Sequence, residues 1–148
     1  IAEATVAALL TLMIAGNIVL QYPIGMFADR YAARLVMIAC AAVTAALSAM
    51  LPLVIQTPLV WPMLFVIGAT SYGIYTSSLI ELGNRFRGQA LIAGNSAFAL
   101  MWGVGGIVGP PGAGSAIQLV GPQGLPLVLT ALCLLLVAFA LYRERLRR

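Results

Sequence analysis

Residues 35–80 read LVMIACAAVTAALSAMLPLVIQTPLVWPMLFVIGATSYGIYTSSLI, without one charged side chain. A helix crosses the hydrocarbon core of a bilayer with about 20 apolar residues. The stretch is long enough for two crossings, and Pro52, Gln56, Pro58 and Pro62 put a turn near its middle. Two crossings return a chain to the face it left. Arg34 and Glu81, which bracket the stretch, therefore share one side of the membrane.

Working outward, residues 4–28 are uncharged and fit one crossing, while residues 88–142 are uncharged and fit two. The fold class predicted is an all-α membrane protein with five transmembrane helices, over about 4–27, 34–54, 60–83, 89–119 and 125–142. All eight basic residues are arginines, gathered at Arg30 and Arg34, at Arg85 and Arg87, and within 143–148. Five spans put all of them on one side, which the positive-inside rule makes the cytoplasm. The N-terminus of the chain is then outside and its C-terminus cytoplasmic.

Composition narrows the function classes. The chain is 62% hydrophobic and 8% charged, whereas a soluble domain carries roughly a quarter charged residues. The net charge of +4 is divided among separate loops, which argues against a nucleic-acid surface. Cys40 and Cys133 each sit in an apolar run, as small packing residues rather than a disulfide or a metal pair. There is no histidine, no nucleotide-binding glycine loop and no pair of carboxylates at one depth. An enzyme, a metal site and a cofactor therefore find no support, and the chain has no basic region opening a signal peptide.

Small residues and prolines add local expectations. Ala41, Ala45 and Ala49, with Ala42 and Ala46 beside them, make a stripe that lets another helix approach closely. Pro23 is placed to bend the first span, and Gly83-Asn84 is a plausible stop for the third. Between Gly103 and Gly114 the glycines and the Pro110-Pro111 pair predict a bent helix that does not face lipid. Gly121-Pro122-Gln123-Gly124 reads as an outer turn.

The loop Gly25-Met26-Phe27-Ala28-Asp29-Arg30-Tyr31-Ala32-Ala33-Arg34 resembles the signature loop of the major facilitator superfamily, Gly-x-x-x-Asp-Arg/Lys-x-Gly-Arg-Arg/Lys. Gly25, Asp29, Arg30 and Arg34 match, while Ala32 and Ala33 stand where the family has Gly and its first Arg. The resemblance implies a gating loop. Asp29 would accept hydrogen bonds at a neighbouring helix N-terminus, and the arginines would pair with acids at the next cytoplasmic loop. Taken without the family, the same loop is an ordinary topology determinant. Gly105-x-x-x-Gly109-Pro110-x-x-Ala113-Gly114 is similar to a helix-bend motif in the fifth helix of the family's antiporters, with Ala113 in place of a Gly. A glycine-rich packing surface with no say in transport direction remains an equal reading.

By this register the chain resembles helices eight to twelve of a twelve-helix facilitator, from its C-terminal half and nearest a bacterial efflux-like branch. The resemblance implies part of one six-helix bundle of two around a central cavity. It also implies a secondary active transporter that moves a small solute by alternating access across the bacterial cytoplasmic (inner) membrane. The expected partners are the lipid bilayer, a small-molecule substrate and the seven N-terminal helices of the same transporter. The first residue, Ile1 rather than Met, fits a piece of a longer protein. The alternative is a stand-alone five-helix membrane scaffold or assembly protein without transport activity.

Polar residues inside the spans supply candidate contacts. Gly68, Ser71, Tyr72, Tyr75 and Ser78 share one helical face, which the resemblance makes cavity-lining. Asn17 and Gln21 lie one turn apart, and Asn95 and Trp102 share a face of the fourth span. Each is read either as substrate contact or as hydrogen bonding between helices. Glu81 sits at the cytoplasmic end of the third span. It is read as a salt-bridge partner of Arg30 or Arg34, since a proton-coupling carboxylate belongs nearer the middle of the bilayer.

Overall fold

A computed structural model describes residues 3–146; Arg147 and Arg148 of the arginine tail, like Ile1, lie outside the described residues. The described chain is helical almost throughout. Its helices are α1 (Glu3–Arg30), α2 (Ala33–Val54), α3 (Val60–Arg85), α4 (Gly88–Val120) and α5 (Gly124–Arg145). The shortest have 22 residues, or about 33 Å, enough for the hydrocarbon core. By length and apolarity four segments qualify as membrane spans: α1, α2, α3 and the 58-residue run Gly88–Arg145. That last run holds both α4 and α5, separated by the 3-10 turn Gly121–Gln123.

The run reverses at this turn. In an unbroken helix residues 116 and 124 would stand about 12 Å apart. Here Gly124 lies so close to the backbone of Ala116 that a Cβ on it would overlap the chain. Gly121 makes the break with φ +80, and Gly88 opens α4 with φ +56, conformations that glycine adopts without strain. The end of α3 differs from expectation: Gly83 and Asn84 are inside the helix, which stops where Phe86 and Arg87 become extended. Pro23, Pro52, Pro110 and Pro111 likewise lie inside helices. The bend expected between Gly103 and Gly114 does not interrupt α4, and none of those glycines has positive φ.

Contacts set the directions. α2 runs against α3, with Thr44 opposite Thr70 and Met37 opposite Ser78. α4 runs against α3, with Gly94 opposite Leu82 and Trp102 opposite Tyr75. α5 runs against α2, since Thr130 reaches the Ala45 carbonyl and Arg34 reaches that of Ala140. The ends of α1, α3 and α5 and the starts of α2 and α4 thus gather at one end of the bundle. Every described arginine is at that end.

Packing follows the rule for lipid rather than for water. The chain exposes 9729 Å², where a soluble monomer of this mass would expose about 7,200 Å². Most side chains buried almost completely are small, among them Ala28, Ala41, Ala69, Thr44, Ser48 and Ser77, with Ile67 as a large exception. Leu, Ile and Phe mostly point outward, because hydrocarbon solvates them as well as a protein core does. On α2 the buried face is Cys40, Ala41, Thr44, Ala45 and Ser48. Ala42, Ala46 and Ala49 of the expected stripe are exposed, because the contact follows the 3.6-residue period onto Thr44 and Ser48.

The closest approach joins α1 to α3. A Cβ on Gly16 would overlap the Phe65 carbonyl, and one on Gly68 would overlap that of Met13. We predict that Gly16→Ala lowers the unfolding free energy of the chain in mixed micelles by about 1–3 kcal/mol, the usual cost of overpacking. Gly106→Ala, where nothing lies within 4 Å, should be neutral or slightly stabilising. Equal midpoints for wild type and Gly16→Ala in a denaturing-detergent titration would contradict the close crossing.

Candidate functional site

The expected gating loop is compact and its charges diverge. Asp29 and Arg30 close α1, and Tyr31 holds the turn by donating its N–H to the Phe27 carbonyl at 2.8 Å. Ala32 is the extended residue before α2. Ala33, where the family has an Arg, is only 2% exposed, so the small side chain is a packing requirement here. Arg34 turns away from the loop and donates to the Ala140 carbonyl of α5.

The pairing expected for Glu81 is not formed. Glu81 pairs with Arg85 at 2.5 Å, one turn along α3, and not with Arg30 or Arg34. An i, i+4 pair needs no other helix to be in place, and local geometry wins. Asp29 is exposed and has no hydrogen bond or ion pair with a described residue. Gly25 is in α1 with nothing within 4 Å of where a Cβ would be. The five loop residues Gly25, Asp29, Arg30, Arg34 and Glu81 do not form a single network within this chain.

A cavity of about 490 Å³ does bring candidate residues together. It lies between α3 and α4 and is lined by Tyr75, Asn95 and Trp102 with Phe98, Leu91 and Leu79 among others. Tyr75 meets Trp102 edge to face, with centroids 4.8 Å apart, and meets Phe98 at 5.3 Å. Such contacts favour a fixed relative orientation of the rings. No charged side chain is among the lining residues. The cavity offers aromatic faces, a phenol hydroxyl and an amide, which suits an uncharged solute with an apolar body. Phe98 was missed from sequence, although Leu91, Asn95, Phe98 and Trp102 recur at helical spacing.

The other candidates sit elsewhere. Ser78 faces α2, donating to the Ile74 carbonyl at 2.7 Å and lying 3.3 Å from the Met37 sulfur. Gln21 donates its amide to Thr76 at 2.8 Å, and Thr76 donates onward to the Tyr72 carbonyl, so Gln21 ties α1 to α3. Tyr72 is itself exposed. Asn17 Oδ1 and Ser71 Oγ are buried without a hydrogen-bond partner among the described residues. Gly105, Gly109, Pro110 and Gly114 belong to α4 outside the cavity, and no Cβ added at the three glycines would touch anything within 4 Å.

These features describe a multi-pass membrane protein with a solute-sized cavity between two apolar helices. The sequence profile of the Major Facilitator Superfamily matches residues 1–148, and the chain belongs to that family. The family is one of membrane transporters and not of enzymes. Neither a curated protein nor a solved structure matches the chain.

The aromatic contact has a measurable size. In a double-mutant cycle, Tyr75→Leu and Trp102→Leu should couple by about 0.5–1.5 kcal/mol in unfolding free energy. Tyr72→Leu with Trp102→Leu should be additive. Additivity in the first pair would mean that the rings do not touch.

Proposed function

We propose that this chain supplies helices eight to twelve of a twelve-helix secondary transporter, in which the cavity between α3 and α4 contacts a small solute during alternating access. The observation that carries the reading is the convergence of Tyr75, Asn95, Phe98 and Trp102 on one uncharged cavity in a facilitator chain. The register rests on Gly25, Asp29, Arg30 and Arg34, spaced as in the family's loop, and on the glycine-rich Gly105–Gly114 stretch. The solute is uncharged or weakly polar, with an apolar body that stacks on the rings. The residues Asn17, Ser71 and Tyr72 belong to the wider cavity that the remaining helices complete.

In this reading the arginine end of the bundle is cytoplasmic, in a bacterial inner membrane, and all five helices cross. Asp29, unpaired among the described residues, takes its hydrogen bonds from the other half of the transporter when the cytoplasmic side is closed. Its exposure supports that role, because a partner from outside needs an open approach.

Topology is tested by cysteine labelling. Introduced cysteines at Thr57 and Gln123 should react with an impermeant thiol reagent from outside, and one at Ala32 should not. Reaction at Ala32 in sealed cells would overturn the orientation.

Solute flux through the full-length transporter tests the cavity and the loop together. Trp102→Ala should raise the KM about 10- to 100-fold through lost stacking, with normal insertion. Asp29→Asn should cut flux about 5- to 150-fold and open the cytoplasmic mouth to labelling, in line with ordinary conformational coupling. An unchanged KM in the first variant would refute the cavity, and unchanged flux and labelling in the second would reduce the loop to a topology anchor.

A further inference from the structure

A second cavity, of about 250 Å³, opens at the arginine end between α2, α3 and α5. Four charged side chains line it: Arg34, Glu81, Arg85 and Arg143. They come from three different helices, so tertiary packing rather than a local run of sequence brings them together. Three guanidiniums face one carboxylate, and that carboxylate is held by Arg85. Arg34 gives a hydrogen bond to the Ala140 carbonyl, a neutral acceptor that leaves its charge uncompensated. Arg143 makes no ion pair with a described residue. A surplus of two positive charges therefore remains in a partly enclosed space.

The rest of the lining is apolar. Leu136 and Phe139 of α5 lie one turn or two before Arg143 on the same face, and Phe139 is also 60% exposed on the outside of the bundle. Leu135, beside them, is 66% exposed. The cavity thus runs from guanidiniums at the membrane–water boundary onto a surface that meets acyl chains. Guanidinium forks bind phosphate oxygens in pairs, and basic pockets between transmembrane helices suit lipid headgroups.

We propose that this cavity binds the phosphate of an acidic glycerophospholipid, with the headgroup between Arg34 and Arg143 and the acyl chains along Leu135 and Phe139. Inorganic phosphate shares the anion chemistry. The apolar continuation along α5 favours the lipid, since a free anion gains nothing from it. The inference rests on the placement of the chain in a bilayer and is independent of which solute the transporter moves.

The test uses the 148-residue chain in detergent, given equal amounts of phosphatidylglycerol and phosphatidylcholine and read by native mass spectrometry. Phosphatidylglycerol should be retained in clear excess. Arg34→Gln and Arg143→Gln should each lower its retention about tenfold or more, through loss of a charge-assisted hydrogen bond to the phosphate. Arg145→Gln removes the same charge from the same helix end but not from the cavity lining, and should leave retention unchanged. Arg143 is exposed, so its loss leaves the helix packing intact even if Arg34→Gln disturbs α5. Equal retention of the two lipids, or an equal loss in Arg145→Gln, would overturn the pocket in favour of general surface attraction. Displacement of phosphatidylglycerol by millimolar inorganic phosphate would overturn the lipid assignment.

Discussion

Backbone meets backbone where α1 crosses α3, at Gly16 against Phe65 and at Gly68 against Met13. In lipid no hydrophobic force draws apolar helices together, so attraction comes from close packing and from hydrogen bonds between helices. Two glycines, one from each helix, let the axes approach until carbonyls and Cα atoms touch. The same approach brings Gln21 within reach of Thr76, and on the other side of α3 the hydroxyls of Thr44 and Thr70 lie 2.8 Å apart. Thr70 donates to the Val66 carbonyl, which leaves Thr44 as the donor across the helices. α3 is therefore fixed on two flanks by short-range contacts that a single methyl group would disturb.

The third flank of α3 is built differently. Toward α4 the contacts are large rings rather than glycines, with Tyr75 held between Phe98 and Trp102. Large side chains keep the axes apart, and the space left between them is the cavity. One helix thus has a closely packed side and an open side, decided by whether glycine or an aromatic residue stands at the contact. The uncharged lining then follows from the composition of the spans, whose only charged residues are at their ends.

Much of this could be read from sequence, for physical reasons that also explain the failures. Charges cannot remain in hydrocarbon, so the arginines mark helix ends, and the described arginines do collect at one end of the bundle. Gly121 lies at the reversal before α5 because a chain that turns so tightly needs positive φ. Tyr75 on the third span and the Asn95–Trp102 pair on the fourth stand out in sequence as polar or amphipathic residues in apolar helices, and tertiary structure joins the two spans there. Gly16 escaped notice because a single glycine carries no periodic signal; only the opposing backbone gives it meaning. Glu81 was assigned to the wrong arginine because charge pattern shows which groups are available, not which are nearest. On α2, alanine spacing suggested a stripe, but Thr44 and Ser48 are equally small and lie on the face that is buried.

The arginine end and the glycine crossing are connected through α5. Arg34 reaches over to the last turns of α5, and Thr130 reaches the Ala45 carbonyl from its first turns, so α5 is tied to the start and the middle of α2. α4 is joined to α5 at the tight turn, where Gly124 rests on Ala116, but its central face from residue 99 to residue 112 is exposed throughout. It is thus anchored at the turn and braced near its start by the aromatic cluster. The α1–α3 crossing and the α2–α5 ties do not involve α4. The packing therefore divides the chain into closely joined helices, α1, α2, α3 and α5, and an α4 with a largely exposed centre, and the cavity lies on the boundary between them.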